Sequence, residues 1–477
     1  MRLISLTIVV LFVLSACAVG SDDDATPNAP EATPTVELAT PDAIEPTAEA
    51  DDEPTAEAAA EPTATQAAET TATEDASEQA TPEDEPSTTA EADTGDLAAL
   101  IDQIAADTAT VRELELLEEI DSEIINREQL GENLLQLIEE DFGREQAELD
   151  RDLLWTLRLI DDPELDYYQL TVDLLTEQVA GYYDSDSGEL FVISEESDLS
   201  ADQKVTMSHE IVHALQDQHF GLDPYDEDST DFDALTAFAA LTEGDASWAM
   251  IQYAIQYLTQ EEINEFVSGA GAQPSSPTLD SAPRYIREGL LFPYEAGFAF
   301  MEALINEGGI EAVNAAFENP PVSTEQILHP ETYISEPRDL PLEVDIPNLA
   351  GTLDDGWEET YAGTLGEFDL VILLEENGIE DAGDAALGWG GTHFEMWSDG
   401  EALLTVMATR WDTEQDAAEF DEALRQTLAS YEPDGDIWTD GARFHAVISS
   451  GDRVVLITST NRDALTAAQA AQQVNTP

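Results

Sequence analysis

His209, Glu210 and His213 stand in the order His-Glu-Ile-Val-His, and no other stretch of the 477 residues is so well placed to do chemistry. Residues four apart lie on one face of an α-helix, so both imidazoles can reach a single metal ion. Glu210 projects beside them, where it can hold a metal-bound water and take its proton. Two neutral nitrogen ligands and an adjacent base within five residues suit zinc and hydrolysis. The chain has only 6 histidines, which makes a chance match rare. A helix with two packed or capped histidines would carry the same letters, so the neighbouring elements must supply the rest.

Those elements are consistent with a site. Val205, Ile211, Val212 and Leu215 give the motif segment an apolar face, and Gly221 and Pro224 stop the helix predicted over 202–219. A zinc site needs a third protein ligand, and two residues compete. Glu243 lies in Thr242-Glu243-Gly244-Asp245, inside a second apolar-periodic helix predicted over 232–258. His219 occupies the third-histidine position of an HExxHxxGxxH pattern, but Gln216 stands where that pattern has its turn-permitting glycine. Glu243 is the favoured ligand and His219 the alternative.

Residues 209–220 followed by 242–246 resemble the gluzincin-type zinc metallopeptidases, whose third ligand is a glutamate on the helix after the HExxH helix. More narrowly, the chain is similar to a group of poorly characterised bacterial lipoproteins and secreted proteins with a metallopeptidase domain. The shared segments are EQVAGYYD (177–184) and LFV (190–192) before the motif, and PPVSTEQILHPETY (320–333) after it. The resemblance covers residues 105–340 and implies zinc at His209, His213 and Glu243, with Glu210 as base. It departs from the family at Ser247, four residues after Glu243, where many gluzincins carry an aspartate that orients a histidine. Asp245 and Asp217 are the available substitutes.

Two further features bear on substrate. Residues 179–183 and 189–193 are β-prone runs about the turn Asp184-Ser185-Asp186-Ser187-Gly188. A strand beside a metal helix can pair with an extended peptide, although an ordinary surface hairpin reads the same way. The turn shares part of a calcium-loop pattern without the full EF-hand spacing. Peptide hydrolysis also needs a donor aimed at the developing oxyanion; Tyr294 and His329 are the first choices, then Tyr285 and Arg287. Any of these four can instead be structural.

Arg2 precedes an apolar run over 3–14, followed by Ser15, Ala16 and Cys17. The run is too short to span a bilayer and suits a signal-peptide core. Leu-Ser-Ala-Cys resembles the bacterial lipobox, which implies cleavage after residue 16 and a diacylglycerol on Cys17. Cys17 is the single cysteine, so no intrachain disulfide forms. Residues 21–94 are rich in Ala, Thr, Pro, Glu and Asp and hold no aromatic residue, Lys or Arg. Such a segment cannot bury enough apolar surface to offset its chain entropy, and charge and proline keep it extended. The expected plan is a signal peptide (1–16) and a disordered tether (17–95) anchoring the rest to the outer face of the cell membrane.

Acidic residues number 105 against 15 basic ones, and Lys204 is the only lysine. Nucleic acid and anionic membrane surfaces are disfavoured as partners, since both demand cationic patches. The excess fits a saline medium that screens self-repulsion, or a secreted acidic surface that merely preserves solubility. The predicted fold class is α+β. Residues 96–340 form a mainly helical, zincin-like metallopeptidase domain with a short hairpin, its helices near 97–107, 129–140, 145–160, 168–180, 202–219, 232–258 and 296–317. A polar loop covers 269–283 and a Pro-rich connector 330–347. Residues 341–477 form a small α+β domain, with strands at 392–397, 402–411, 445–450 and 453–459 and helices at 413–431 and 463–473; His393 and His445 read as structural. The expected function is a surface-anchored zinc metallopeptidase acting on peptide or protein substrates. The rival is a catalytically silent lipoprotein scaffold, which would have no need of Glu210.

Overall fold

The structure, a computed structural model, describes residues 6–10, 93–193, 199–225, 229–270 and 276–474. The tether lies outside them up to residue 92, as does Cys17. Residues Met1–Ser15 and Thr89–Pro477 group as one compact unit and Ala16–Thr88 as a second.

The fold class is α+β, with sixteen helices and eleven strands among the described residues. Strand β1 (Leu6–Val10) and helix α1 (Asp93–Arg112) come first, then β2 (Asp121–Ile125), α2 (Arg127–Asp141), α3 (Arg144–Thr156) and α4 (Tyr167–Gln178). The hairpin β3 (Val179–Asp184) and β4 (Glu189–Ile193) leads into α5 (Ala201–Phe220) and α6 (Phe232–Tyr257). Six more helices follow: α7 (Gln260–Ala270), α8 (Pro277–Ser281), α9 (Arg284–Gly308), α10 (Ile310–Glu318), α11 (Thr324–Leu328) and α12 (Pro330–Ile334). The last part runs β5 (Glu358–Thr364), α13 (Glu367–Glu376), α14 (Ala382–Ala386), β6 (Trp389–Ser398), β7 (Leu403–Trp411) and α15 (Glu414–Thr427). It ends with β8 (Glu432–Asp434), β9 (Ile437–Thr439), β10 (Phe444–Ser450), β11 (Arg453–Ser459) and α16 (Arg462–Val474).

Two sheets result. The first has the order β1-β3-β4-β2, with β2 parallel to β4 and the other pairs antiparallel. The second is a seven-stranded antiparallel sheet ordered β5-β6-β7-β11-β10-β9-β8. One hydrophobic cluster runs from Leu130, Leu134 and Leu154 in the helices to Trp389, Phe394, Trp411 and Leu456 in that sheet. The expected boundary near residue 340 therefore falls inside a shared core. Polar contacts cross it too: Tyr361 donates its hydroxyl to Asp150 at 2.7 Å, and Thr156 and Thr405 hydroxyls meet at 2.7 Å.

Among the helix boundaries that differ from the sequence expectation, two have a tertiary reason. The helix expected at 296–317 starts at Arg284, passes through Pro293 and breaks at Gly309, whose φ is +69°. Proline removes one amide donor, but burial of Tyr285, Ile286, Phe292, Phe300, Met301 and Leu304 holds the helix on both sides. The helix expected to reach 160 ends at Thr156, because Arg158 adopts a left-handed φ of +64°. That conformation aims its guanidinium at Asn377 (3.0 Å) and Thr427 (2.8 Å), beyond the reach of any local pattern.

The motif helix is locally well specified. Ser200 caps α5 by accepting from the Gln203 amide, and Gln203 returns the bond to the Ser200 amide at 2.9 Å. The same Gln203 donates to the Ile193 carbonyl at 2.7 Å, tying the start of α5 to the end of β4. Gly221, with φ +76°, ends the helix.

Candidate metal centre

His209 and His213 meet Glu243 where α5 crosses α6. Their Nε2 atoms lie 3.0 and 3.5 Å from the same oxygen, Glu243 Oε2. Tetrahedral ligands bonded at zinc distances sit about 3.4 Å apart, so this spacing suits one small ion. The three residues are 1%, 0% and 6% exposed. Such a buried set needs a compensating charge.

Close helix packing brings Glu243 there. A Cβ on Gly244 would lie 2.3 Å from the Gly297 backbone, and one on Gly297 would lie 2.1 Å from the Ala240 carbonyl oxygen. Only glycine permits that approach of α6 and α9. One turn earlier on α9, Tyr294 stacks on His209 with ring centroids 6.2 Å apart.

Glu210 points its carboxylate toward β3, where Oε2 accepts from the Tyr183 amide at 3.0 Å. Its Oε1 is buried without a hydrogen-bond partner among the described residues, as is His213 Nε2. Orphaned buried atoms beside a nitrogen, nitrogen and oxygen donor set mark a place the polypeptide alone does not complete, and zinc fits it. Burial pushes the Glu210 carboxyl well above the usual range, reinforced by the charge of Glu243 and opposed by the Tyr183 amide. Burial would also raise Glu243, but the two histidines overcome it and hold the carboxyl at about 2. His209 is lowered, chiefly by burial, toward the neutral form that binds metal.

A buried chain of hydrogen bonds fixes His213. Gln216 donates its amide to the Thr242 carbonyl (3.0 Å) and to Asp245 (2.9 Å), so its oxygen faces His213 Nδ1 at 2.9 Å. Nδ1 is therefore the atom that donates to Gln216, which turns Nε2 toward Glu243. Asp245 is held in turn by Arg112, whose Nε lies 2.7 and 2.9 Å from its two oxygens. Gln216 and Arg112 were not singled out in the sequence. Gln216 shares a helix face with His213 and was visible by spacing; Arg112 lies 133 residues from Asp245 and left no local signal. Of the two expected substitutes for the missing aspartate, Asp245 acts through Gln216. Asp217 instead accepts from the Tyr183 hydroxyl at 2.8 Å.

Several expected residues are placed elsewhere. The His219 ring faces the Glu115 carbonyl at 2.7 Å on the surface, so the structure does not bring it to the metal ligands. His329 Nε2 pairs with Glu367 of α13 at 3.0 Å. Tyr285 donates to Asp369 at 2.7 Å, and Arg287 lies beside Glu288 and the Ala282 carbonyl. Tyr294 alone of the four donors stands against a metal ligand. Among the described residues no helix is long and apolar enough to cross a membrane.

Residues 355–469 match a family described as a domain of unknown function (DUF8575), which spans β5 to α16 without its last turn and leaves the α5–α6 cluster outside. No curated protein is significantly similar to the chain. Among solved structures, one described as a "putative hydrolase with a novel fold" from Chloroflexus aurantiacus aligns at 18% identity, covering 52% of this chain and 91% of that one. Its TM-score of 0.33 is too low to carry an argument about fold or activity.

Proposed function

We propose that this protein is a zinc-dependent peptidase of the gluzincin type. The observation that carries the reading is the convergence of His209, His213 and Glu243 beside Glu210, a base that a purely structural metal site does not need. Zinc, when bound, supplies Lewis acidity toward a scissile carbonyl and acidifies water. Glu210, anchored at one oxygen by Tyr183, uses the other to take a proton from water and pass it to the leaving amine. The Tyr294 hydroxyl is the oxyanion donor of this scheme. In this structure β3 pairs along its outer edge with Leu6–Val10, antiparallel, which supports that edge as the register for an extended peptide once residues 1–16 are removed. The lipid anchor at Cys17 and the outward-facing location belong to the same proposal and rest on residues 14–17 alone.

The test is elemental analysis of the full chain with cleavage of a mixed peptide library, for wild type and Glu210→Gln. One zinc per chain in both, with cleavage only in wild type, supports the proposal. Absence of zinc, or undiminished cleavage by Glu210→Gln, overturns it, and the first of these favours the silent scaffold.

A further inference from the structure

We propose that Glu325, Asp339 and Asp412 form a second cation site, which takes a hard divalent ion of the calcium class and ties the helical region to the sheet. One carboxylate oxygen from each lies within 4.8 Å of the others. Ligands on opposite sides of a calcium ion, with bonds of 2.3–2.6 Å, are separated by about that distance. All three donors are oxygen, which suits a hard cation and not the nitrogen-rich set at His209 and His213.

Glu325 is 6% exposed, and no hydrogen-bond donor or cation among the described residues reaches its carboxylate. Its strongest charged neighbour is Glu367, 2% exposed, which gives one oxygen to His329 and leaves the other buried without a partner. The nearby cations are committed elsewhere. Arg338 donates to the carbonyls of Asn319 and Pro320 and to Gln326, and lies over the Tyr333 ring; Arg410 pairs with Asp452. Burial and the surrounding carboxylates raise Glu325 to about 8, against a weaker opposing pull from His329.

The ligands come from three segments that the fold already holds together. Glu325 is on α11, Asp339 follows α12, and Asp412 follows β7. Gln326 donates to the Asp339 carbonyl, the Asp412 amide donates to Gly388 at 2.9 Å, and the Leu342 amide donates to Gly390. A cation there would clamp the segment around Asp339 between helix and sheet.

The experiment is calcium titration of the full chain by calorimetry and thermal unfolding, in a high-sodium buffer, for wild type, Glu325→Gln and Asp412→Asn. The expected result is one calcium per chain, a calcium-dependent rise in Tm, and at least a tenfold loss of affinity in each variant with zinc content unchanged. Equal calcium affinity in all three proteins would show a diffuse ion atmosphere and overturn the proposal. So would a wild type whose stability follows pH but ignores calcium, since Glu325 then simply holds a proton. If Glu325→Gln does not fold, Asp412→Asn decides, because Asp412 is exposed. The outcome is independent of whether His209, His213 and Glu243 bind zinc.

Discussion

The cluster on α5 and α6 and the cluster around Glu325 each converge three side chains, yet they offer different donors. The first sets two imidazoles and a carboxylate in a dry crossing, with Gln216, Asp245 and Arg112 behind them. The second sets three carboxylates at a half-open seam, two of them exposed and none held by a cation. The ligands of the first come from consecutive helices; those of the second are joined only by tertiary packing. Donor type and the cost of desolvation therefore separate the two more sharply than charge does.

The largest test of that contrast removes a ligand from the first cluster. Glu243→Ala and His213→Ala are expected to lose stoichiometric zinc, measured by elemental analysis, while His219→Ala keeps it. Zinc lost from His219→Ala and kept by Glu243→Ala would reverse the ligand assignment. Glu210→Gln is expected to retain zinc and lower kcat by about 10²–10⁴-fold.

Next in size is the helix contact beneath the site. Gly297→Ala places a methyl where the Ala240 carbonyl oxygen already stands, and is expected to cost about 3 kcal/mol in urea unfolding. A neutral result would mean that α6 and α9 can part without harm. Gln216→Ala frees His213 Nδ1 and is expected to weaken zinc by about 10–100-fold in chelator competition, with the fold intact. Unchanged affinity would reduce the Gln216–Asp245–Arg112 chain to ordinary core packing.

A subtler test uses pH. The Glu325 carboxyl lies at about 8 in the folded chain against an ordinary value of 4.5. The folded state thus binds the proton more tightly; its contribution is complete below about 4.5 and is lost as pH climbs toward 8. In calcium-free buffer the Tm advantage of wild type over Glu325→Gln should shrink across that window, and calcium should restore it. A difference that stays flat with pH breaks the account. The smallest effect is expected at Lys204, whose 2.7 Å pair with Glu262 is partly exposed: Lys204→Met should cost less than about 1 kcal/mol.

Much of the first cluster was legible in the chain. His209, Glu210 and His213 were found by helical spacing, and Glu243 by its place on the next apolar-periodic helix. The flanking helices and the four main strands of the sheet were also readable from periodicity. Misreadings came where local signals met tertiary context. The helix expected from 296 starts instead at Arg284, because the buried face of α9 carries it through Pro293. His329 looked like a donor, but Glu367, from a region expected to be a separate domain, holds its ring. The second metal-type cluster left no sequence signal, since its members are 14 and 73 residues apart along the chain.

By itself the sequence determined what one or two turns of helix can determine. It places two imidazoles on one face with a carboxylate between them, and caps α5 with Ser200 and Gln203. It also decides the excess of 105 acidic over 15 basic residues. The tertiary structure decided the rest: Glu243 and not His219 beside the two histidines, Arg112 behind Asp245, and one core across residue 340. The reason is physical. Helix geometry sets distances between residues three or four apart, whereas burial and the choice of partner depend on which distant segments pack against them.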